Sequence, residues 1–178
     1  MPVEEHNREG GTVMAWSTSM IEARASDKLI ETFGHIQGIS LPVSLDKIVN
    51  HFGLTVEFGE FASANISGAY RKSDKRIFVS QDDQYYRQAF TIAHELGHFF
   101  LHEDKEDEVF LRQFSIEPDA ETDEVEVEAN KFAAALLMPR ELVEQYWPRH
   151  SANDIAARFG ISPSAATWRL RTLGMLES

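Results

Sequence analysis

Cysteine is absent from the 178-residue chain. That excludes a disulfide framework and every thiolate metal site, so a metal would have to be held by His, Asp or Glu. Basic charge is scarce as well: 17 Lys and Arg stand against 29 Asp and Glu, a net charge of −12. A phosphate backbone would repel such a chain as a whole, and direct binding to nucleic acid is not expected. No apolar run approaches the ~20 residues that cross a bilayer. The N-terminal stretch MPVEEHNREGGTVMAWS is acidic and has no continuous apolar core, unlike a secretory signal. We therefore expect a cytoplasmic protein without membrane association. The remaining balance, 43% hydrophobic and 26% charged residues, is that of an ordinary globular domain with one well-buried core.

Residues 1–17 are polar, include Gly10-Gly11 and show no apolar periodicity, so a flexible leader is expected there. Ile21, Ala25, Leu29 and Phe33 then recur at helical spacing and stop at Gly34. A second, short helix follows around Leu45, Ile48, Val49 and Phe52, with Ser44 as N-cap and Gly53 as stop. LTVEF alternates as a strand does, and ISGAYRKSDKRIFVS reads as two strands joined by a turn near Ser73-Asp74. The helical period returns from about Tyr85. It stops in a stretch, Glu103 to Glu128, that carries twelve acidic side chains against Lys105 and Arg112. We read that stretch as a long solvated loop, with a lid or a dock for a basic partner as the sharper alternative. TDEVEVEANKFAAALLMP resumes a helix that Pro139 closes, and SANDIAARFGISPSAATWRLRTLG has the shape of two short helices around a turn. The expected fold class is α+β, in which a small antiparallel sheet packs on two long helices and a helix-turn-helix-like element follows. The domain would span residues 18–148, with 149–178 packed on it.

The densest chemistry lies in TIAHELGHFFLH, residues 91–102. On a helix of 100° per residue His94, Glu95, His98 and His102 share one face, while Ile92, Leu96, Phe99 and Phe100 point away. His94 and His98 are one turn apart, close enough for two imidazole nitrogens to reach one tetrahedral zinc at about 2.0 to 2.1 Å. Glu95 then sits beside the ion and can take a proton from water, the division of labour that HExxH requires for peptide hydrolysis. His102 lies about 12 Å along the axis from His94, too far to join them on one ion, so its role is orientation or packing. Gly97, on the flank of this face, would let the alanine-rich second helix approach closely. That helix also carries carboxylates, Glu124, Glu126 and Glu128, any of which could complete a site that leaves the fourth position to water.

RQAFTIAHELGHFFLH, followed by EVEANKFAAALLMP and preceded by SGAYRKSDKRIFVS, resembles the ImmA/IrrE family of zinc metallopeptidases. The resemblance implies one zinc held by His94, His98 and Glu126, with Glu95 as general base. It implies a narrow substrate, a helix-turn-helix repressor of the Xre type whose cleavage relieves repression. The helical count agrees on Glu126, which falls between Ala133 and Leu137 on the inward edge of the apolar stripe. Glu128 falls about 160° away, on a flank expected to be solvated. Tyr70, His102 and Tyr146 are each chemically able to stabilise an oxyanion, and the sequence does not choose among them. An extended substrate would add to the sheet edge offered by the hairpin.

Two other functions compete. Residues 149–178 carry four arginines against Asp154 and Glu177, a local +2 that could suggest a DNA-binding regulator but supplies little phosphate affinity. A non-catalytic partner that binds a repressor or toxin around a structural zinc would have no need of Glu95.

Overall fold

The computed structural model describes residues 15–63, 65–103, 110–113, 124–147 and 149–177. Helix α1, Thr18–Phe33, starts where the Ser17 hydroxyl accepts the amide of Met20 and ends at Gly34, whose φ of 84° an L side chain rarely adopts. Ile21, Ala25 and Leu29 form its buried stripe. Helix α2, Leu45–His51, follows Ser44 and buries Leu45, Ile48 and Val49. Both elements follow the sequence periodicity. Trp16 is anchored rather than flexible: its amide donates to Glu128 Oε1 at 2.6 Å and its indole N–H to Leu101 O at 3.0 Å. The rest of the expected leader, apart from residues 15–17, lies outside the described residues.

The sheet has four strands in the order β1-β3-β2-β4, formed by β1 (Thr55–Gly59), β2 (Ile66–Arg71), β3 (Arg76–Ser80) and β4 (Phe110–Gln113). The hairpin of β2 and β3 is antiparallel, turning through Lys72–Asp74 and a left-handed Lys75. β4 also runs antiparallel to β2, but β1 joins β3 in parallel, from Thr55 opposite Arg76 to Gly59 opposite Ser80. The sheet is therefore mixed, because the chain leaves β1, makes β2 and returns to fill the place beside β1. That placement corrects the expected substrate edge. Both sides of the hairpin are paired, and among the described residues the edge strands are β1 and β4.

β4 was not anticipated: its four residues interrupt the acidic stretch, and pairing with β2 holds it. Residues 104–109 and 114–123, on which the lid or dock reading falls, lie outside the described residues.

Helix α3, Tyr85–Leu101, and helix α4, Glu124–Leu137, pack against each other, and α1 covers α4 from another side. Gly97 makes the approach of α3 to α4 possible, since a Cβ there would lie 2.9 Å from Ala129 Cα and 3.1 Å from its carbonyl oxygen. After α5, Arg140–Tyr146, come α6, Ala152–Phe159, with a capping box between Ser151 and Asp154, and α7, Pro163–Thr172. The turn between them places Gly160 at φ 67°. Ile155, Phe159 and Leu170 join the main core, and Arg169 ties α7 to α1 and to the end of α4 through Glu22 and the carbonyl of Met138. No helix among the described residues is long and apolar enough to cross a membrane.

Candidate metal centre

α3 supplies two ring nitrogens to one point. His94 Nε2 and His98 Nε2 are 3.0 Å apart, and each lies 3.2 Å from a different oxygen of Glu126, which projects from the first turn of α4. The ligand atoms of these three residues lie within 4.8 Å of one another, so the group could hold a metal ion. The one-turn spacing on α3 brings the imidazoles together, and the close seating of α4 at Gly97 brings the carboxylate to them. Burial alone would raise the Glu126 carboxyl; its hydrogen bonds and attraction to His94 and His98 outweigh that and hold it far below the usual carboxylate range. Both histidines are about 1% exposed, whereas the Glu126 side chain is 34% exposed, so solvent approaches the group from the α4 side.

The outward nitrogens of the two rings are also engaged. His94 Nδ1 lies 3.0 Å from Asn130 Oδ1, and His98 Nδ1 lies 3.2 Å from His102 Nδ1. An amide oxygen accepts only, so Asn130 favours a proton on His94 Nδ1, the tautomer that would offer the Nε2 lone pair to a bound ion. Histidines that hold metals are usually oriented in this way by a partner on the far nitrogen. The donor set, two imidazoles and one carboxylate with a side open to solvent, fits zinc.

Glu95 is fully buried in the same helix. A Cβ on Gly68 of β2 would come within 3.5 Å of Glu95 Oε1 and only 2.2 Å from Thr91 Cγ2, so the missing side chain is what lets the strand lie over this stretch of α3. Of the three residues considered for an oxyanion, Tyr70 is buried with its ring on Phe99, 5.9 Å between centroids, and His102 is held between His98 and Glu128. Tyr146 packs against Phe159 and under the guanidinium of Arg158.

Glu128 differs most from expectation. It is buried at 6% exposure, with Oε2 2.9 Å from His102 Nε2 and Oε1 accepting the Trp16 amide. The helical count placed it correctly away from Glu126, but that flank of α4 is covered by Trp16 and the end of α3 and not by water. Asn130, Gly68 and Trp16 received no role from sequence, and Glu128 was placed only on a solvated flank. Only Asn130 carried a usable signal, standing one turn after Glu126 on the face that meets α3. Beside Asn130 opens an apolar cavity of about 320 Å³ whose walls include Phe90, Ala134, Leu137, Ile161 and Trp168.

The sequence profile of the Peptidase_M78 family, the IrrE N-terminal-like domain, matches residues 49–171. The chain belongs to that family. Among its relatives, the uncharacterized immunity region protein 2 of Bacillus phage phi105 is 33% identical over 110 residues, 61% of this chain and 66% of that protein. The metallopeptidase ImmA of Bacillus subtilis is 26% identical over 124 residues, 67% of this chain and 70% of that one. The ImmA/IrrE resemblance read from the motifs is thus the family relationship. A solved structure of a Mycobacterium tuberculosis transcriptional regulator superposes with a TM-score of 0.62 at 21% identity, covering 84% of this chain and 46% of that one, a likeness of fold. The chain spans about two thirds of the length of the two sequence relatives and under half of the structural one. Peptidase_M78 proteins are metallopeptidases at the level of the family, and His94, His98 and Glu126 are the group in which this member could hold its metal.

Proposed function

We propose that the protein is a zinc-dependent endopeptidase that cleaves a helix-turn-helix repressor of the Xre type, with one zinc per chain held by His94, His98 and Glu126. The observation that carries this reading is the convergence of three donors from α3 and α4 with Glu95 on the same helix. Zinc bound there would polarise the scissile carbonyl and lower the pKa of the attacking water. Glu95 would take a proton from the attacking water and hand it to the leaving amine, a transfer of the kind that contributes roughly 10²- to 10⁴-fold. Asn130 holds His94 in the ligating tautomer, and Gly97 keeps α4 near enough for Glu126 to reach both rings.

The substrate segment enters from the Glu126 side. It lies extended along the outer edge of β4, where main-chain pairing gives affinity, and sets an apolar side chain into the cavity beside Asn130. The family resemblance and the immunity-region name of the phage relative support a repressor as the target. A net charge of −12 favours encounter with a basic, DNA-binding protein and disfavours DNA itself. The test pairs purified, zinc-loaded protein with purified helix-turn-helix repressors of the Xre type and follows cleavage by mass spectrometry. Cleavage that stops in Glu95→Gln while zinc content is retained supports the assignment. Undiminished cleavage by that variant removes Glu95 from the base role.

A further inference from the structure

Behind the donor group runs a chain of polar contacts that ends at the N-terminal backbone. His98 Nδ1 meets His102 Nδ1 at 3.2 Å, His102 Nε2 meets Glu128 Oε2 at 2.9 Å, and Glu128 Oε1 accepts the amide of Trp16 at 2.6 Å. His98, His102 and Glu128 are all buried. We propose that Glu128 is a positioning residue for the metal site: acting through His102, it fixes the tautomer of His98 so that the Nε2 lone pair points at the metal, and the Trp16 amide holds it in place. This rests on the reading of His98 as a ligand.

The direction follows from counting donors. A carboxylate can only accept, so the proton between Glu128 and His102 sits on His102 Nε2. A neutral imidazole carries one N–H, which leaves His102 Nδ1 as an acceptor. The proton between the two rings must then sit on His98 Nδ1, which leaves the His98 Nε2 lone pair for an ion that would also take up His94 Nε2 and the Glu126 oxygens facing it; without an ion those oxygens compete for the ring proton. One carboxylate thereby orders two rings in series. A buried setting strengthens each link, because the groups have little water to turn to instead. His94 gains the same polarity from the Asn130 amide oxygen, so the two rings reach matching states by separate routes.

Glu128→Gln keeps the shape and breaks the logic. The amide oxygen is needed by the Trp16 N–H, and the NH₂ group then faces His102 Nε2. That nitrogen must accept, His102 Nδ1 donates, and His98 is left with its proton on Nε2, against the metal. Nitrogen-15 NMR of the imidazoles in zinc-loaded protein at about pH 8, above the ordinary histidine range near 6.5, reads these states directly. The wild type should show the proton of His98 on Nδ1 and that of His102 on Nε2. Zinc affinity, measured by chelator competition, should fall by roughly 10- to 100-fold in Glu128→Gln. His102→Phe should lower it by a similar factor, and the double variant should lose no more than either single one, since both cut one chain. A wild-type His102 protonated on Nδ1 overturns the proposal, as does a folded Glu128→Gln that binds zinc as tightly as the wild type. A failure of the ligand assignment shows separately, as a folded wild type that binds no zinc.

Discussion

Glu126 and Glu128 stand two residues apart on α4, yet they belong to opposite sides of the α3 and α4 pair. At the front, Glu126 is one-third exposed and shares its two oxygens between His94 and His98. At the rear, Glu128 is sealed, with one oxygen toward His102 and the other on the Trp16 amide. The front carboxylate can exchange its histidine partners for an ion because solvent reaches it. The rear one has a ring and a backbone amide as fixed partners, and it can act on the site only through them. On the proposed reading one helix therefore presents a group that would ligate and a group that would orient, and what covers each flank decides which is which.

The largest effect expected from this contrast is at the front. Glu126→Ala removes one of three donors and should weaken zinc at least about tenfold and abolish repressor cleavage, as metal analysis and a cleavage assay would show. It should also lose some folding stability at neutral pH, because the buried His94 and His98 lose the carboxylate that faces them. Glu128→Ala acts at the rear. It leaves the His102 ring and the Trp16 amide without their acceptor, at a cost of about 1 to 3 kcal/mol in chemical denaturation. If Glu128→Ala is as stable as wild type, the rear side is open to water and the contrast fails.

A third variant tests the packing on which both sides depend. In Gly97→Ala the new methyl meets Ala129 backbone atoms at 2.9 and 3.1 Å, so α4 must shift. We expect a loss of about 1 to 3 kcal/mol together with weaker zinc binding, since the shift draws Glu126 away from the rings. Asn130→Ala should leave the fold intact and lower zinc affinity by roughly tenfold through His94 alone. No change would mean that the His94 tautomer is held by some other group.

The smallest effect concerns alkaline pH and lies away from the donor group. Tyr70 is pushed up from 10.0 to about 12 by burial and by the charges of Glu103 and Asp74. The neutral phenol is the form the fold favours. Its contribution is complete below pH 10 and is lost as pH rises toward 12. Tyr70→Phe should flatten the stability profile over that window in a denaturation series. Separately, a mobility-shift titration should show no duplex DNA binding at physiological salt, given the −12 charge.

Much of this was legible in the sequence for a local reason. The 3.6-residue period located α1, α3 and α4, and alternation located β1, β2 and β3, because each element declares its own buried face. His94, Glu95 and His98 were legible because one helical turn sets their relation, with no other part of the chain involved. Glu126 was separated from Glu128 by the helical count, and the family resemblance pointed the same way. β4 could not be read, since four residues carry too little pattern and β2 supplies its pairing. α5 was likewise missed, being only seven residues long and directly after Pro139.

The sequence by itself determined a cysteine-free acidic domain and a helix that presents two imidazoles and a carboxylate on one face. It also determined a glycine at the point where a second helix could come close. Tertiary structure alone decided that β1 lies parallel to β3 and closes the hairpin's outer side, that β4 forms the other edge, and that the flank bearing Glu128 is dry. The physical reason is that a helical count gives an angle and a strand pattern gives a face, but neither says what covers it. That is settled by which distant segment packs there. Here the segment is Trp16, 112 residues before the carboxylate it caps.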